Sequence, residues 1–382
     1  MKSITVKNIN REFTGSPLAA EWGEEGIFAL SGGGNNFYGQ AEKTADGKIR
    51  LIFIPPAIRA DSEEKFEAKP AGQAPETVKL NNREKDGSVD IFINEQLFTC
   101  YNYATPNIVR PYLFPLAGPS GKLMLRTPPL PGNPDKVDHR HHKGIWVSHG
   151  DVNGVNNWSE EEGHGYTLHK GFKEVTSGPV FGRIHSVNDW AKEVGTGENK
   201  RYKKILEEER IITVYNLPGD FRMIDHETIL RATEGEAVFM DTKESGLLSI
   251  RLNPSMEERK GGLMVNSNGG RGESECWGQR ASWCDYCGEV EGVKCGISIF
   301  DRPGNLRYPT WWHIRSYGLF TANFLGTADF TGDKKKSGTY ILPAYEEMHL
   351  WYRIYVHAGY TAESKVSERY LNFVYPPAVT SE

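Results

Sequence analysis

The sequence predicts an all-β protein, a large antiparallel β-sandwich of the supersandwich kind with few short helices. Three observations lead there. Forty-one glycines, nine tryptophans and seventeen tyrosines, set among β-branched residues, are a sheet-forming composition. Several segments alternate apolar and polar residues with a period of two. Helical periods are few and short.

The elements follow in order. RLIFIPP (50–56), VDIFIN (89–94) and LFTCYNY (97–103) read as strands bounded by turn residues. SGGGNN (31–36) lacks the strand–glycine–helix context of a phosphate loop and reads as a turn. Residues 57–88, with EEKFEAK and PAGQAPE, are the most linker-like part of the chain. They suggest an N-terminal β-element (1–75) leading into a main sandwich domain (76–382). KKILEEERI could pass for a helix, but it runs straight into RIITVYN (210–216), which reads as a strand. Residues 221–252 predict a hairpin with its turn near Thr233–Glu236, then a strand continuing past a break at Gly246. WWHIRSYGLF (311–320) places Trp311, His313, Arg315 and Tyr317 in one row. MHLWYRIYV (348–356) is the clearest strand: Met348, Leu350, Tyr352, Ile354 and Val356 form an apolar face, and His349, Trp351, Arg353 and Tyr355 a polar-aromatic one.

Composition narrows the partners. A net charge of -5 over 382 residues argues against nucleic acid or an anionic membrane as partner. No apolar run reaches the roughly 20 residues needed to span a bilayer, and the N-terminus has no apolar signal region. Five cysteines are few and odd in number, so reduced thiols and a cytoplasmic location are expected. Cys284-x-x-Cys287, with Cys276 and Cys295 nearby, has knuckle spacing for zinc over only half of its length.

Residues 138–151 hold four of the eleven histidines, in DHRHHKGIWVSHGD. His139, His141 and His142 could ligate a divalent metal, although Lys143 beside them would oppose one. On a strand, His149 and Asp151 would share a face, the carboxylate orienting the imidazole as a general acid or base. Trp158 adds an aromatic surface suited to a sugar ring. Glu244 interrupts a strand-like row and is a general-base candidate, with Arg251 following as a ligand clamp. In the 311–317 row, Trp311, His313 and Arg315 would line a groove, Arg315 reading a carboxylate. Structural readings stand beside each: histidines hydrogen-bonding a loop, charges on a solvated face, an edge strand.

Five segments together carry a resemblance: RPYLFPLAGPSG (110–121), DHRHHKGIWVSHGDVNGVNNW (138–158), DTKESGLLSIRL (241–252), NGGRGESECWGQRASWCDY (268–286) and FDRPGNLRYPTWWHIRSYGLF (300–320). They resemble the bacterial family catalogued as "methane oxygenase PmoA". That family's D-H-P-H-H-R-G is here changed at Arg140 and Lys143, losing the proline and keeping the second charge. Particulate methane oxygenase is a membrane protein and this chain has no membrane run, so the oxygenase label is set aside. The resemblance implies a galactose-mutarotase-like supersandwich in which His149 or His142, Glu244 and His313 face one groove.

The expected function is a carbohydrate-active enzyme moving protons at a sugar, as an epimerase, lyase or glycoside hydrolase. Its catalytic residues are expected to be His149, Asp151, Glu244 and His313. Its binding residues are expected to be His142, Trp158, Arg251, Trp311 and Arg315. No cofactor is required by this reading. A non-catalytic sugar-binding protein and a metal-dependent lyase or hydrolase using His139, His141 and His142 are the alternatives.

Overall fold

The computed structural model describes residues 2–44, 47–106, 108–129, 138–219 and 221–382. Among them, the strands form one seven-stranded sheet, two eight-stranded sheets and a two-stranded ladder, with every named pair antiparallel. The protein is an all-β sandwich. No helix is long and apolar enough to cross a membrane among the described residues.

The seven-stranded sheet is built from the first 70 residues and closed by Ala378–Ser381, which pairs with Lys2–Asn8. The next strand, Val78–Arg83, opens the first eight-stranded sheet. Residues 57–88 are therefore no linker, because Ser62–Pro70 and Val78–Arg83 are strands. Within EEKFEAK only Phe66 and Ala68 turn inward, so the charged majority on the solvent face hides the alternation.

The two large sheets face one another across one apolar core. The even row of Glu347–Ala358, from Met348 to Val356, lies in that core as its alternation requires. Opposing it are Ile145, Leu248, Ile250 and Phe320 of the first large sheet. KKILEEERI belongs to the strand Arg201–Tyr215, whose even positions turn inward from Leu206 onward. This places Glu208 and Arg210 inside the core. Glu208 is fully buried, and it accepts from Arg210 Nε at 2.6 Å and from Trp190 Nε1 at 2.6 Å. Arg210 Nη1 donates to the Pro111 carbonyl at 2.9 Å. A buried charge survives only when so paired, and the pair ties one sheet to the other.

The expected hairpin across 221–252 does not form. Phe221–Arg231 pairs with Arg201–Tyr215 and Glu347–Ala358 in the second large sheet. Ala237–Phe239 pairs with Tyr340–Leu342, and Ser245–Arg251 joins the first large sheet. The turn at Thr233–Glu236 is a crossover between sheets, and turn chemistry alone does not distinguish the two. Nor is 311–320 one strand: Trp312–Ile314 and Leu319–Ala322 are separated by a turn closed from Gly318 N to the Arg315 carbonyl at 2.9 Å.

Candidate functional site

The strands at one end of the first large sheet run in the order Trp312–Ile314, Leu319–Ala322, Ser245–Arg251, Ile145–His149, Tyr112–Leu116. Their register aligns His313, Thr321, Ser249, Trp146 and Tyr112 in one row across the sheet. The neighbouring row, Ile314, Phe320, Ile250, Ile145 and Leu113, faces the core. The outer row is the floor of the site, and the 138–144 turn folds over it.

That turn is held by charge. Asp138 Oδ1 accepts from Arg126 Nη1 at 2.9 Å, and Asp138 Oδ2 accepts from Arg251 Nη2 at 3.0 Å. Arg126 also donates to the carbonyls of Asp138, His139 and His142, at 2.8–3.0 Å. Arg251 Nη1 meets His142 Nδ1 at 3.2 Å, so a neutral His142 accepts there. Gly144 has φ +59, and a Cβ there would lie 2.0 Å from the Leu113 carbonyl oxygen. Only glycine lets the turn settle this closely on the sheet.

The rings form a continuous stack. Tyr317 lies on His139 (centroids 5.2 Å apart), His139 on His142 (4.7 Å) and His142 on Trp146 (5.2 Å). Arg251 covers Tyr317 at 4.7 Å, and Trp158 packs edge-on against both His141 and His142. Lys143 bridges to Glu160 at 2.8 Å, a carboxylate shared with the buried Arg110. Arg315 pairs with Glu273 at 3.0 Å and flanks Tyr317.

Burial and cation density set the ionisation. Partial burial opposes the charge on Asp138, but hydrogen bonds from His139 and Arg251, with the nearby Arg126, hold its carboxyl down at about 2. Burial, then the Arg110 charge, pushes His141 down to about 3. His142 is lowered further, by burial and by His141 and Arg251. Burial followed by Arg315 brings His313 to about 3. Burial, then Arg251, lowers Arg126 to about 10. These imidazoles are neutral at pH 7. The Nε2 atoms of His141 and His142 are buried and have no hydrogen-bond partner among the described residues.

His139 differs from its neighbours. Its side chain is 43% exposed and its Nδ1 lies 2.9 Å from Asp138 Oδ2. Since a carboxylate only accepts, Nδ1–H donates and Nε2 is left as the basic atom.

The structure brings His142, Arg251 and Trp158 together, with Arg315 alongside through Tyr317 and His313 in the floor row. It separates the others. His149 faces the core: its Nε2 donates to the Met240 carbonyl at 2.9 Å and its Nδ1 accepts from Ser245 Oγ at 2.7 Å. Burial lowers it to about 4. The Asp151 carboxylate caps a turn by accepting from Gly154 N at 2.8 Å, so no His149–Asp151 dyad exists. The alternation that would have joined them fails because the strand ends at His149, and Asp151 already belongs to the turn that follows. Glu244 is exposed, seven residues before Arg251 and just ahead of the extended strand Ser245–Arg251, and so on the order of 20 Å from it. Trp311 is bridged to Arg280, whose guanidinium covers its ring at 4.5 Å. The sequence reading missed Arg126 as a site residue and the roles of Asp138 and Tyr317. Arg126 directly follows the apolar triplet Leu123-Met124-Leu125.

The metal alternatives fare differently from their spacing. Among the described residues, the group whose donor atoms lie within 4.8 Å of one another is Asp285, Cys287 and His357, not His139, His141 and His142. In that group Asp285 accepts from Cys287 Sγ (2.9 Å), Thr361 Oγ1 (2.6 Å), Ser298 Oγ (2.8 Å) and His357 Nε2 (3.0 Å). Each donor is thus already engaged, and burial followed by the Asp285 charge pushes the Cys287 thiol well up. Cys284 and Cys287 lie three apart on a strand, hence on opposite faces, which removes the knuckle.

The sequence matches no curated protein. Among solved structures, the α-galactosidase from Lactobacillus brevis aligns over 94% of this chain and 42% of its own, at 8% identity and a TM-score of 0.31. The chain thus spans under half the length of that enzyme. A family model described as a family of unknown function, DUF6807, matches residues 88–371, well over half of the sequence and all of the site just described. The chain belongs to this family, DUF6807.

Proposed function

We propose that the protein is a carbohydrate-active enzyme working by general acid/base proton transfer, with His139 as the base. The observation that carries this reading is the exposed His139 ring, oriented by Asp138 through Nδ1 and clamped flat between Tyr317 and His142. A fixed tautomer with Nε2 outward is what abstraction of a proton from a sugar carbon or hydroxyl requires. Arg315, one-third exposed, would receive a carboxylate or the oxyanion that develops beside the abstracted proton. Arg251 and Arg126 hold Asp138 ionised and so act on the base through it. His313, neutral and accepting from Trp277 Nε1 at Nδ1 (3.3 Å), keeps its proton on Nε2 as a hydrogen-bond donor for the leaving or ring oxygen. Epimerisation and β-elimination suit this layout better than hydrolysis, which needs a paired carboxylate acid and nucleophile or base. The segments resembling the PmoA-named family lie around this site.

The test is NMR in D2O with uronides, keto-sugars and neutral aldoses. Deuterium uptake at a sugar carbon, or an unsaturated product, is expected, and His139→Gln should slow it roughly 10²–10⁴-fold. Binding without exchange or product across the panel, or a fully active His139→Gln, would refute the proposal.

A further inference from the structure

Two carboxylates serve four cations around the 138–144 turn. Glu160 is shared by Arg110, at 3.3 Å, and Lys143, at 2.8 Å. Asp138 is shared by Arg126, at 2.9 Å, and Arg251, at 3.0 Å. Arg110, Arg126 and Arg251 are buried, so water screens the surplus poorly. The neighbouring rings register it: beyond burial, Arg110 lowers His141 and Arg315 lowers His313. This local sign is opposite to the net charge of -5 carried by the whole chain.

A fifth cation keeps an open edge. Arg315 is one-third exposed, and Glu273 Oε1 lies 3.0 Å from its Nε. The other oxygen of that carboxylate accepts from Ser316 N, which fixes Glu273 on the Nε side. Among the described residues, no group accepts a hydrogen bond from the Arg315 Nη atoms. Two parallel N–H donors of this kind meet a carboxylate through both of its oxygens. The guanidinium packs on Tyr317 at 5.8 Å, and His139 stacks on the same ring at 5.2 Å. A carboxylate on Arg315 is thereby placed beside the His139 ring.

A carboxylate there has a chemical use. In a uronic acid the C5–H bond adjoins the carboxylate carbon. When a base takes that proton, the electron pair left behind spreads onto the carboxylate oxygens, where a guanidinium stabilises it. A phosphate ester would fill the same donors without acidifying a carbon, and a neutral sugar would leave them empty.

We infer that the ligand of this site is a uronate sugar, its carboxylate held by the Nη edge of Arg315 and its C5–H turned to His139 Nε2. The inference rests on the reading of His139 as the base.

The test is ligand-observed NMR titration of the full chain carrying His139→Gln, which binds without consuming ligand. The probes are disaccharide uronides of gluco, galacto and manno configuration, their carboxyl-reduced counterparts, and glucose 6-phosphate. At least one uronide should bind, with its reduced counterpart and the phosphate at least tenfold weaker. Adding Arg315→Gln should weaken uronide binding roughly 10–100-fold and leave the reduced sugar unchanged, which also shows that the variant is folded. Arg315→Lys, keeping the charge and losing the fork, should recover only part of the preference. No uronide binding, equal affinity for a reduced counterpart or the phosphate, or an undiminished preference in both Arg315 variants would each overturn the inference. Deuterium uptake by wild type on neutral sugars without any uronide preference would refute the uronate and leave His139 as base. Uronide preference without uptake at C5 would do the reverse.

Discussion

Asp138 and Arg251, 113 positions apart, are joined through both carboxylate oxygens at 3.0 and 3.3 Å. This contact closes the histidine-bearing turn onto the middle of the first large sheet. It also presents His139, because the oxygen that receives Arg251 Nη2 receives His139 Nδ1 as well.

Asp138→Asn should therefore cost more than a surface substitution. Two largely buried arginines would lose their counter-charge, while partial exposure of the carboxylate moderates the loss. A destabilisation of about 2 kcal/mol is expected by urea titration, together with loss of proton transfer at His139. Asp138→Glu should not restore activity, since a longer side chain moves the oxygens that orient the ring.

Acid should weaken the fold in two stages. His149 and His313 have folded values of about 4 and 3, below the ordinary imidazole value near 6.5, so the unfolded chain takes up their protons first. Their neutral burial stabilises the fold fully above about pH 6.5, and this contribution is lost as the pH falls toward 4. Asp138, held at about 2, adds a carboxylate contribution that fades from about pH 4 downward. Urea midpoints should fall steadily from pH 7 to 4.5. His149→Asn should be less stable at pH 7 but show a shallower decline. A flat profile over that range would contradict the assignment.

Gly144→Ala should prevent the turn from seating. The added methyl would meet backbone carbonyl in a region of positive φ, and neither can yield without moving the strand Tyr112–Leu116. A loss on the order of 3 kcal/mol is expected by thermal unfolding.

Glu208→Ala should rank among the most damaging core substitutions, at about 3–5 kcal/mol, because Arg210 would be left charged inside the sandwich. The double variant Glu208→Leu with Arg210→Met should recover much of that loss. If the single and double variants unfold at the same denaturant concentration, the ion pair has no such role.

Much of this architecture was legible from periodicity. The alternation of 348–356 correctly assigned both faces of its strand, and the histidine-rich stretch marked the turn around which the site is arranged. What failed has physical causes. Period two carries a side chain's orientation only while the strand lasts, and Ile145–His149 ends before Asp151 is reached. Turn residues at 233–236 announce a reversal but do not say which sheet the chain enters next. Asp138 and Arg251 are brought together by tertiary pairing that no local pattern encodes. Arg126 likewise carries no local sign of its three carbonyl partners, which lie in the 138–142 turn.

The pairing of Lys2–Asn8 with Ala378–Ser381 has a consequence for the order of assembly. One edge of the first sheet to emerge during synthesis stays open until residue 381 has cleared the ribosome. Throughout elongation the backbone of Ile4, Thr5, Val6 and Lys7 lacks this neighbour and can recruit a strand from another chain. The seal comes late and is only four residues long. Removing it should leave the sandwich core intact while turning that edge into a nucleus for aggregation.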